Sequence, residues 1–185
     1  MLDGPASNTA RSLRSCTTQM RAATDIVIPN YCFSTFEQIR DAGLGTAYYG
    51  SLRAYIDSLF FRPRSTADSS SFGLVYLDYC SRLTAGFASV EKSPIADIGA
   101  LFRYHCFGVP GRGRSLLAIC FCREQQAEQE HGGAADVTVQ ADEEEEEVLV
   151  RVVTQAAVAA GYSAGLCRCD SKNYELMMMR IFEIE

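Results

Sequence analysis

Three polar or reactive side chains follow an apolar stretch near the middle of the chain. Residues 74–80 read LVYLDYC, so Asp78, Tyr79 and Cys80 come directly after a strand-like run. A carboxylate at a strand end can orient an acceptor nitrogen or an ammonium group, and a tyrosine ring can stack on a planar ligand. Nothing in the surrounding sequence favours the reactive thiolate form of Cys80. Asp78 and Tyr79 are therefore the candidate catalytic residues, and the other interpretation of Asp78 is a strand-end acid that caps the next turn.

Cysteine is the second residue type that can carry chemistry. The chain has eight cysteines, and four of them form the C-x-C pairs Cys120/Cys122 and Cys167/Cys169. On a strand, each pair places both sulfurs on one face. There is no C-x-x-C pair and there are only two histidines, so no metal site is predicted. With no export signal in view, the cysteines are interpreted as reduced, small apolar side chains.

The negative charge of the chain is concentrated in one segment. The net charge is −6, but residues 124–147 contain ten acids and no Lys or Arg, which leaves 17 bases and 13 acids, or +4, elsewhere. A body of this charge can face an anionic partner. Residues 123–147 are interpreted as a flexible acidic insert, whose last acids complement the dipole of a helix that begins at Val148.

Strand-like and helical segments alternate along the chain, with apolar residues three or four apart in the helices and β-branched or continuous apolar runs in the strands. The predicted strands are Met1–Asp3, Asp25–Pro29, Thr46–Tyr49, Phe72–Leu77, Ser115–Cys122, Ala164–Cys169 and Tyr174–Ile184. The predicted helices are Ser7–Met20, Ser34–Ala42, Ser51–Leu59, Ser93–Cys106 and Val148–Ala160. Serines at their starts and glycines after their ends act as caps. The order predicts one three-layer, doubly wound α/β domain over residues 1–185.

Seven strands in this order, with a hairpin at the end, resemble the class I S-adenosylmethionine-dependent methyltransferase family. The resemblance covers nearly the whole chain and implies a mostly parallel sheet of order 3-2-1-4-5-7-6, with the seventh strand antiparallel. It places Ser115–Cys122 beside Tyr174–Ile184 and puts Ala164–Cys169 on the outer edge. The first strand would be central yet only three residues long, so an upstream extension or a truncated gene model is predicted.

The family binds S-adenosylmethionine at the carboxyl ends of its first four strands, as open α/β sheets generally do with ligands. Carried over by position, the cofactor-binding residues implied by the resemblance are Asp3, Gly4, Asn8, Asn30, Tyr31, Gly50, Ser51 and Asp78. The sequence departs from the family pattern in two places: the first loop has a single glycine, and Asn30 stands where an acid usually holds the ribose. An asparagine can bond one ribose hydroxyl but lacks the charge.

Three function classes follow from these features. The first is a methyltransferase whose acceptor is unknown, with a nucleic acid slightly favoured by Arg103, Arg112 and Arg114 around the sequence GVPGRGR. The second is a non-catalytic binding or scaffold protein of the same fold. The third, a dinucleotide-dependent oxidoreductase, lacks a G-x-G-x-x-G motif after a strand. No apolar run is long enough to span a bilayer, so an intracellular, soluble protein without a membrane partner is expected.

Overall fold

The computed structural model describes residues 27–30, 32–43, 45–60, 71–79, 83, 93–122, 134–168, 172–173 and 177–185. The chain divides into two compact units, residues 1–67 and 68–185. Predictions for the strand Met1–Asp3 and the helix Ser7–Met20 fall on residues that the structure leaves undescribed.

In its described residues, the first unit has a two-stranded parallel sheet and two helices. Its elements are β1 (Val27–Asn30), α1 (Phe33–Ala42), β2 (Thr46–Tyr49) and α2 (Leu52–Phe60). β1 pairs with β2 in parallel, and α1 makes the crossover between them. The strongest burial is at Ile28, Ile39 and Ile56, which are fully buried, so one residue from β1 and one from each helix form the centre of this small core.

Helix α1 ends as predicted but begins differently. Gly43 follows its last turn in the left-handed conformation, with φ of 60°, and its N–H donates to the carbonyl of Arg40. The predicted N-cap at Ser34 is wrong, since the helix begins at Phe33 and the N-cap residue is Cys32, which makes no side-chain capping bond. Instead, the side-chain oxygen of Asn30 accepts the N–H of Cys32 at 2.8 Å, and this turn feeds the chain into the helix.

The second unit contains the larger sheet. Its elements are β3 (Leu74–Asp78), α3 (Pro94–Arg103), β4 (Ser115–Cys122), α4 (Ala134–Ala159), β5 (Ala164–Leu166), β6 (Lys172–Asn173) and β7 (Met177–Ile184). The strand order is β3-β4-β7-β5, and β6 pairs with β7. β3 and β4 are parallel, whereas β7 runs antiparallel to both β4 and β5. The expected placement of Ser115–Cys122 beside the last strand, with the 164–169 segment on its far side, is confirmed.

The predicted single seven-stranded sheet is wrong. The described strands form two separate sheets, one with two strands and one with five, and β1 and β2 pair only with each other. In the predicted order, the stretch Met1–Asp3 had to join the two halves into one sheet, and this stretch lies outside the described residues. Helical crossovers predicted that β1 pairs with β2 and β3 with β4, and the family resemblance supplied the place of β7 between β4 and β5. Neither shows that the two halves share a sheet.

One face of the larger sheet carries the core of the second unit. Along β7, alternate residues Met178, Arg180, Phe182 and Ile184 are buried, and their partners on β4 are buried as well. Helix α4 lies over this face, because Glu146 on that helix contacts the Arg180 side chain. The opposite residues of β7 are only half-buried. The alternation therefore distinguishes a packed face from a more accessible one.

Helix α3 has the predicted N-cap, Ser93, and ends before its predicted last residue, Cys106. Ser93 is the N-cap, its hydroxyl oxygen accepts the N–H of Ala96 at 3.4 Å, and Pro94 occupies the first helical position. The helix stops at Arg103 and not at Cys106, because the chain turns through His105, which has φ of 51°. A left-handed residue with a side chain costs about 1–2 kcal/mol, so neighbouring contacts must hold His105 in this conformation.

The ends of helices α3 and α4 have the same geometry. After α3, the N–H of Cys106 donates to the carbonyl of Leu101 at 2.9 Å; after α4, the N–H of Tyr162 donates to the carbonyl of Ala157 at 2.9 Å. Both are Schellman caps, with His105 in the position that Gly161 takes in the second. Gly161 was predicted to end its helix, and this is confirmed.

A side-chain hydrogen bond connects the two caps. The Tyr162 hydroxyl donates to the carbonyl of Gly108 and lies 3.2 Å from Nδ1 of His105. Because a phenol has one proton and that proton goes to Gly108, Nδ1 of His105 must be the donor to Tyr162. The rings of Phe102 and Phe107 pack against Tyr162 with centroids 5.8 and 6.2 Å away. These contacts explain why His105 keeps its left-handed backbone, and they give it a structural role.

Helix α4 includes the acidic run that was expected to be flexible. The helix begins at Ala134, so the predicted start at Val148 is wrong. Glu145 is only 3% exposed, and Glu146 forms an ion pair with Arg180 of β7. The last acids were expected at the start of a helix, but they lie within α4, and a basic partner from a distant strand allows part of the run to pack against the sheet. Within the described part of the chain, no helix is long and apolar enough to cross a membrane.

Candidate functional site

Asp78 lies where the sequence placed it, as the last residue of β3. It is half-buried and is paired in register with Cys120 of the parallel strand β4. The ladder continues one residue further, because the N–H of Tyr79 donates to the carbonyl of Cys120 at 2.8 Å. Strand pairing with β4 therefore holds the backbone at Asp78 and at the next residue, Tyr79. A carboxylate at the carboxyl end of parallel strands is well placed to meet a ligand.

Tyr79 is tied into the protein by its hydroxyl group. This hydroxyl donates to Oδ2 of Asp97, in the first turn of α3, at 3.0 Å. Burial raises the pKa of Tyr79 well above its ordinary value of 10.0, and the neighbouring carboxylate of Asp97 adds to the shift. The phenol is thus a neutral donor that joins the end of β3 to the start of α3. This bond has the geometry of a structural contact, and it positions the strand end that carries Asp78.

In the first unit, Asn30 and Gly50 lie together at the carboxyl ends of β1 and β2. The N–H of Gly50 donates to the carbonyl of Asn30 at 3.0 Å. Asn30 also uses its side-chain oxygen for the turn that starts α1. These two bonds tie Asn30 to the start of α1 and to the turn after β2.

Gly50 and Ser51 form the turn between β2 and α2, and Ser51 caps the helix. The φ of Gly50 is 151°, and a Cβ there would lie 2.8 Å from Cε1 of Tyr48, so a larger residue would strain the turn. The predicted cap at Ser51 is confirmed, since its hydroxyl oxygen accepts the N–H of Ala54 at 3.1 Å. Tyr48 donates its hydroxyl to the Ala54 carbonyl. These contacts make the turn a structural feature in its own right.

A group of aromatic rings at the same end of the first unit was missed from the sequence. Phe33 and Tyr49 are 54% and 56% exposed, and their ring centroids are 5.4 Å apart in an edge-to-face arrangement. Phe36 packs against both, and the guanidinium of Arg40 lies 5.7 Å from its ring centroid. Phe33 and Phe36 stand three apart on α1 and meet Tyr49 from β2, which is the signal that could have identified them.

The thiol of Cys32, which sequence reasoning also left aside, lies at the start of α1. Hydrogen bonds from the side chains and backbone N–H groups of Ser34 and Thr35 lower its pKa from 9.0 to about 7. The sulfur lies 3.3 Å from the Ser34 hydroxyl oxygen, and the residue is exposed. By contrast, burial raises the pKa of Cys106 to about 12. The two thiols therefore differ strongly in how readily they form the reactive thiolate.

This difference predicts selective alkylation. Cys32 should react with iodoacetamide at a rate that rises through a midpoint near pH 7, while Cys106 in the folded protein should stay unmodified up to pH 9. Peptide mass spectrometry after short labelling pulses between pH 5 and 9 would measure both. Ser34→Ala should move the midpoint of Cys32 upward. An unchanged midpoint in that variant would show that the serine does not stabilise the thiolate.

The structure brings the predicted site residues together in two groups. Asn30, Gly50 and Ser51 lie in the first unit, and Asp78 and Tyr79 lie in the second. The remaining predicted positions fall on residues that are not described; they are Asp3, Gly4, Asn8 and Tyr31. Each group is at the carboxyl ends of parallel strands, but the two groups lie on separate sheets, whereas the prediction placed them all on one sheet.

The arginines that suggested a nucleic acid have different environments. Arg114 forms ion pairs with Glu183 at 3.1 Å and with Glu185 at 2.8 Å. Arg103 and Arg112 are exposed. The basic turn therefore offers fewer available cations than its sequence indicated, because one guanidinium is directed to carboxylates at the end of β7.

The cysteine and acid side chains do not form a conventional metal centre in the described part of the chain. None of the five described cysteines is in a disulfide; these are Cys32, Cys106, Cys120, Cys122 and Cys167. Across the same ranges, no three side chains of His, Cys, Asp or Glu come together in a way that could hold a metal ion. In comparisons with known proteins, no protein-family model and no curated protein sequence matches this chain.

Proposed function

We propose that the chain is an S-adenosylmethionine-dependent methyltransferase, with Asp78 orienting the cofactor or the acceptor nitrogen. The supporting observation is the arrangement of the second unit, in which β3 and β4 are parallel, β7 is antiparallel between β4 and β5, and Asp78 ends β3. This is similar to the 4-5-7-6 half of the family's sheet. The proposal rests on that half alone, because the two described sheets are separate.

The chemistry asks little of the protein beyond positioning. Methyl transfer from a sulfonium requires an acceptor held in line with the leaving sulfur, a group that accepts any released proton, and exclusion of water. The half-buried carboxylate of Asp78 can bind an ammonium group or an acceptor N–H. Tyr79 acts by holding the strand end through Asp97, and its pKa keeps it protonated at neutral pH, so it does not serve as the base.

For the acceptor, we propose a nucleic acid contacted by the exposed Arg103 and Arg112. Arg114 is not assigned to phosphate binding because it is paired with two glutamates. An intracellular location accompanies the proposal, since none of the five described cysteines is in a disulfide and free thiols persist in reducing compartments.

A non-catalytic binding or scaffold protein is the second candidate. It is favoured by the bonds that engage two predicted site residues within the protein, Asn30 with the Cys32 N–H and Tyr79 with Asp97. In this hypothesis the strand ends stabilise turns and helix starts and need not bind a small molecule. The same experiment separates the two candidates.

Calorimetric titration of the full chain with S-adenosylmethionine and S-adenosylhomocysteine should show saturable binding at one site. Asp78→Ala should weaken that binding by roughly tenfold or more, because a hydrogen bond to a charged group contributes about 1.5–3 kcal/mol. Asp41→Ala is the matched control, since Asp41 is an exposed acid paired with Arg40 and should leave the affinity unchanged. A folded chain that binds neither compound would contradict the methyltransferase proposal and leave the scaffold hypothesis.

A further inference from the structure

Four sulfur-containing side chains share one face of the larger sheet. Cys122 pairs in register with Met177, and Cys120 pairs with Met179, across the antiparallel strands β4 and β7. Directly paired residues have their side chains on the same face, and the C-x-C spacing adds the second cysteine to that face. The sulfur of Cys122 donates to the sulfur of Met177 at 3.4 Å. These four residues are called the sulfur cluster below.

The sulfur cluster lies on the face of the sheet where the residues of β7 are half-buried. Cys120 is 7% exposed, whereas Cys122, Met177 and Met179 are half-buried. The other face of β7 carries Met178, whose side chain is fully buried. An ion from solution can therefore reach the cluster at its half-buried end, while Cys120 lies deeper.

We propose that the sulfur cluster binds one Cu(I) ion, with the two cysteines as thiolates and the two methionines as thioethers. Soft thiolate and thioether ligands favour Cu(I), whereas zinc is held in proteins by cysteine, histidine and carboxylate ligands, a set that does not include methionine. Two metal–sulfur bonds of about 2.3 Å can span sulfurs up to about 4.6 Å apart. The 3.4 Å separation of Cys122 and Met177 is within that reach.

Binding needs no oxidant or reductant. Each thiol gives up its proton to the solvent, a copper–sulfur bond replaces each S–H bond, and the ion stays in the Cu(I) state throughout. Two protons are released per ion, so the apparent affinity should rise with pH. The proposal does not depend on methyl transfer, since neither S-adenosylmethionine nor Asp78 is among the ligands.

The remaining described cysteines are less suitable for this site. Cys167 lies one strand beyond β7, where its N–H donates to the carbonyl of Ile181. Cys106 has its pKa raised to about 12 by burial, which opposes the thiolate. Cys32 belongs to the first unit. Cys167 is half-buried like Cys122, so it provides a matched control.

Anaerobic titration of the reduced full chain with Cu(I), in competition with bicinchoninate, would test the site. We expect one ion to be retained per chain. The Cu(I) affinity should fall roughly tenfold or more in Cys122→Ser, because loss of a residue that hydrogen-bonds to a metal ligand already lowers metal affinity by about that factor, and loss of the ligand itself should cost at least as much. Met177→Leu should lower it as well, and Cys167→Ser should not. Cys122→Ser and Met177→Leu should leave S-adenosylmethionine binding unchanged, which keeps this test separate from that of methyl transfer.

Two results would overturn the proposal. One is a Cu(I) affinity that is the same in wild type, Cys122→Ser and Met177→Leu. The other is a loss in Cys167→Ser equal to that in Cys122→Ser, which would indicate adventitious binding by any accessible thiol. Both cluster substitutions are at half-buried positions and change few atoms, so far-UV circular dichroism should show an unchanged fold.

Discussion

Arg180→Ala should lower the free energy of unfolding by about 3 kcal/mol. Arg180 is 6% exposed, and its Nε and Nη2 donate to Oε2 of Glu146 at 2.7 and 2.6 Å. Removing the guanidinium leaves the Glu146 carboxylate, with a side chain only 25% exposed, against the sheet without its cation. It also leaves the Met179 carbonyl without the N–H of Arg180 Nη1. Urea denaturation of the full chain, followed by circular dichroism, would measure the loss.

Arg114→Ala is the matched control for that substitution. Arg114 also pairs with carboxylates, Glu183 and Glu185, but its side chain is 74% exposed. An exposed pair contributes about 0–1 kcal/mol, so this variant should remain close to wild type. Equal losses in the two variants would contradict the importance assigned to burial of the Arg180 ion pair. The double variant Arg180→Met with Glu146→Leu should recover most of the stability, because it removes both charges.

The parts of the fold that sequence predicted correctly depend on residues close along the chain. Ser51 and Ser93 each cap a helix through an N–H three residues later, and Gly43 and Gly161 each end one in the left-handed conformation. The continuous apolar run of β4 likewise indicated a buried strand, which it is. In each case the deciding contacts lie within one turn or one strand, so local chemistry was sufficient.

The errors arose where a distant or unexpected partner decides the structure. The N-cap of α1 is Cys32 and not Ser34, and the Asn30 side chain accepts the Cys32 N–H. The acidic run joins α4 with the help of Arg180, which lies 34 residues beyond Glu146. A count of charges along the chain cannot find such a partner, because it does not show which cation lies next to which acid in the folded protein.

In the candidate site, too, local sequence predicted where residues lie, whereas contacts between distant residues could not be predicted. Asp78 was predicted at a strand end from the pattern of residues 74–80, and it ends β3. The bond from Tyr79 to Asp97 joins residues 18 apart, and the pairing of Cys122 with Met177 joins residues 55 apart. Sequence spacing predicted which side chains lie at strand ends and on which face, but cross-strand register decided which of them meet.

Tyr79→Phe should lower the free energy of unfolding by about 2 kcal/mol at neutral pH, the contribution of a hydrogen bond to a charged group. Asp97 is 7% exposed and accepts from the Tyr79 hydroxyl at 3.0 Å, so the variant leaves a buried carboxyl group with one donor fewer. Tyr49→Phe is the control, because Tyr49 is 56% exposed and its substitution should have little effect on stability. Chemical denaturation of the three proteins would measure the difference.

The pH dependence separates this bond from simple loss of packing at Tyr79. In the unfolded chain the tyrosine ionises near its ordinary pKa of 10.0, whereas burial and Asp97 raise the pKa in the folded protein. Below pH 10 both states hold the proton and the bond contributes in full. Above pH 10 only the unfolded state ionises, so the contribution falls as pH rises. The stability difference between wild type and Tyr79→Phe should therefore be constant up to pH 10 and shrink above it. A stability difference that stays constant beyond pH 10 would show that the Tyr79 hydroxyl is not buried against Asp97 as in the structure. An unchanged S-adenosylmethionine affinity in Tyr79→Phe would assign Tyr79 to positioning of the strand end.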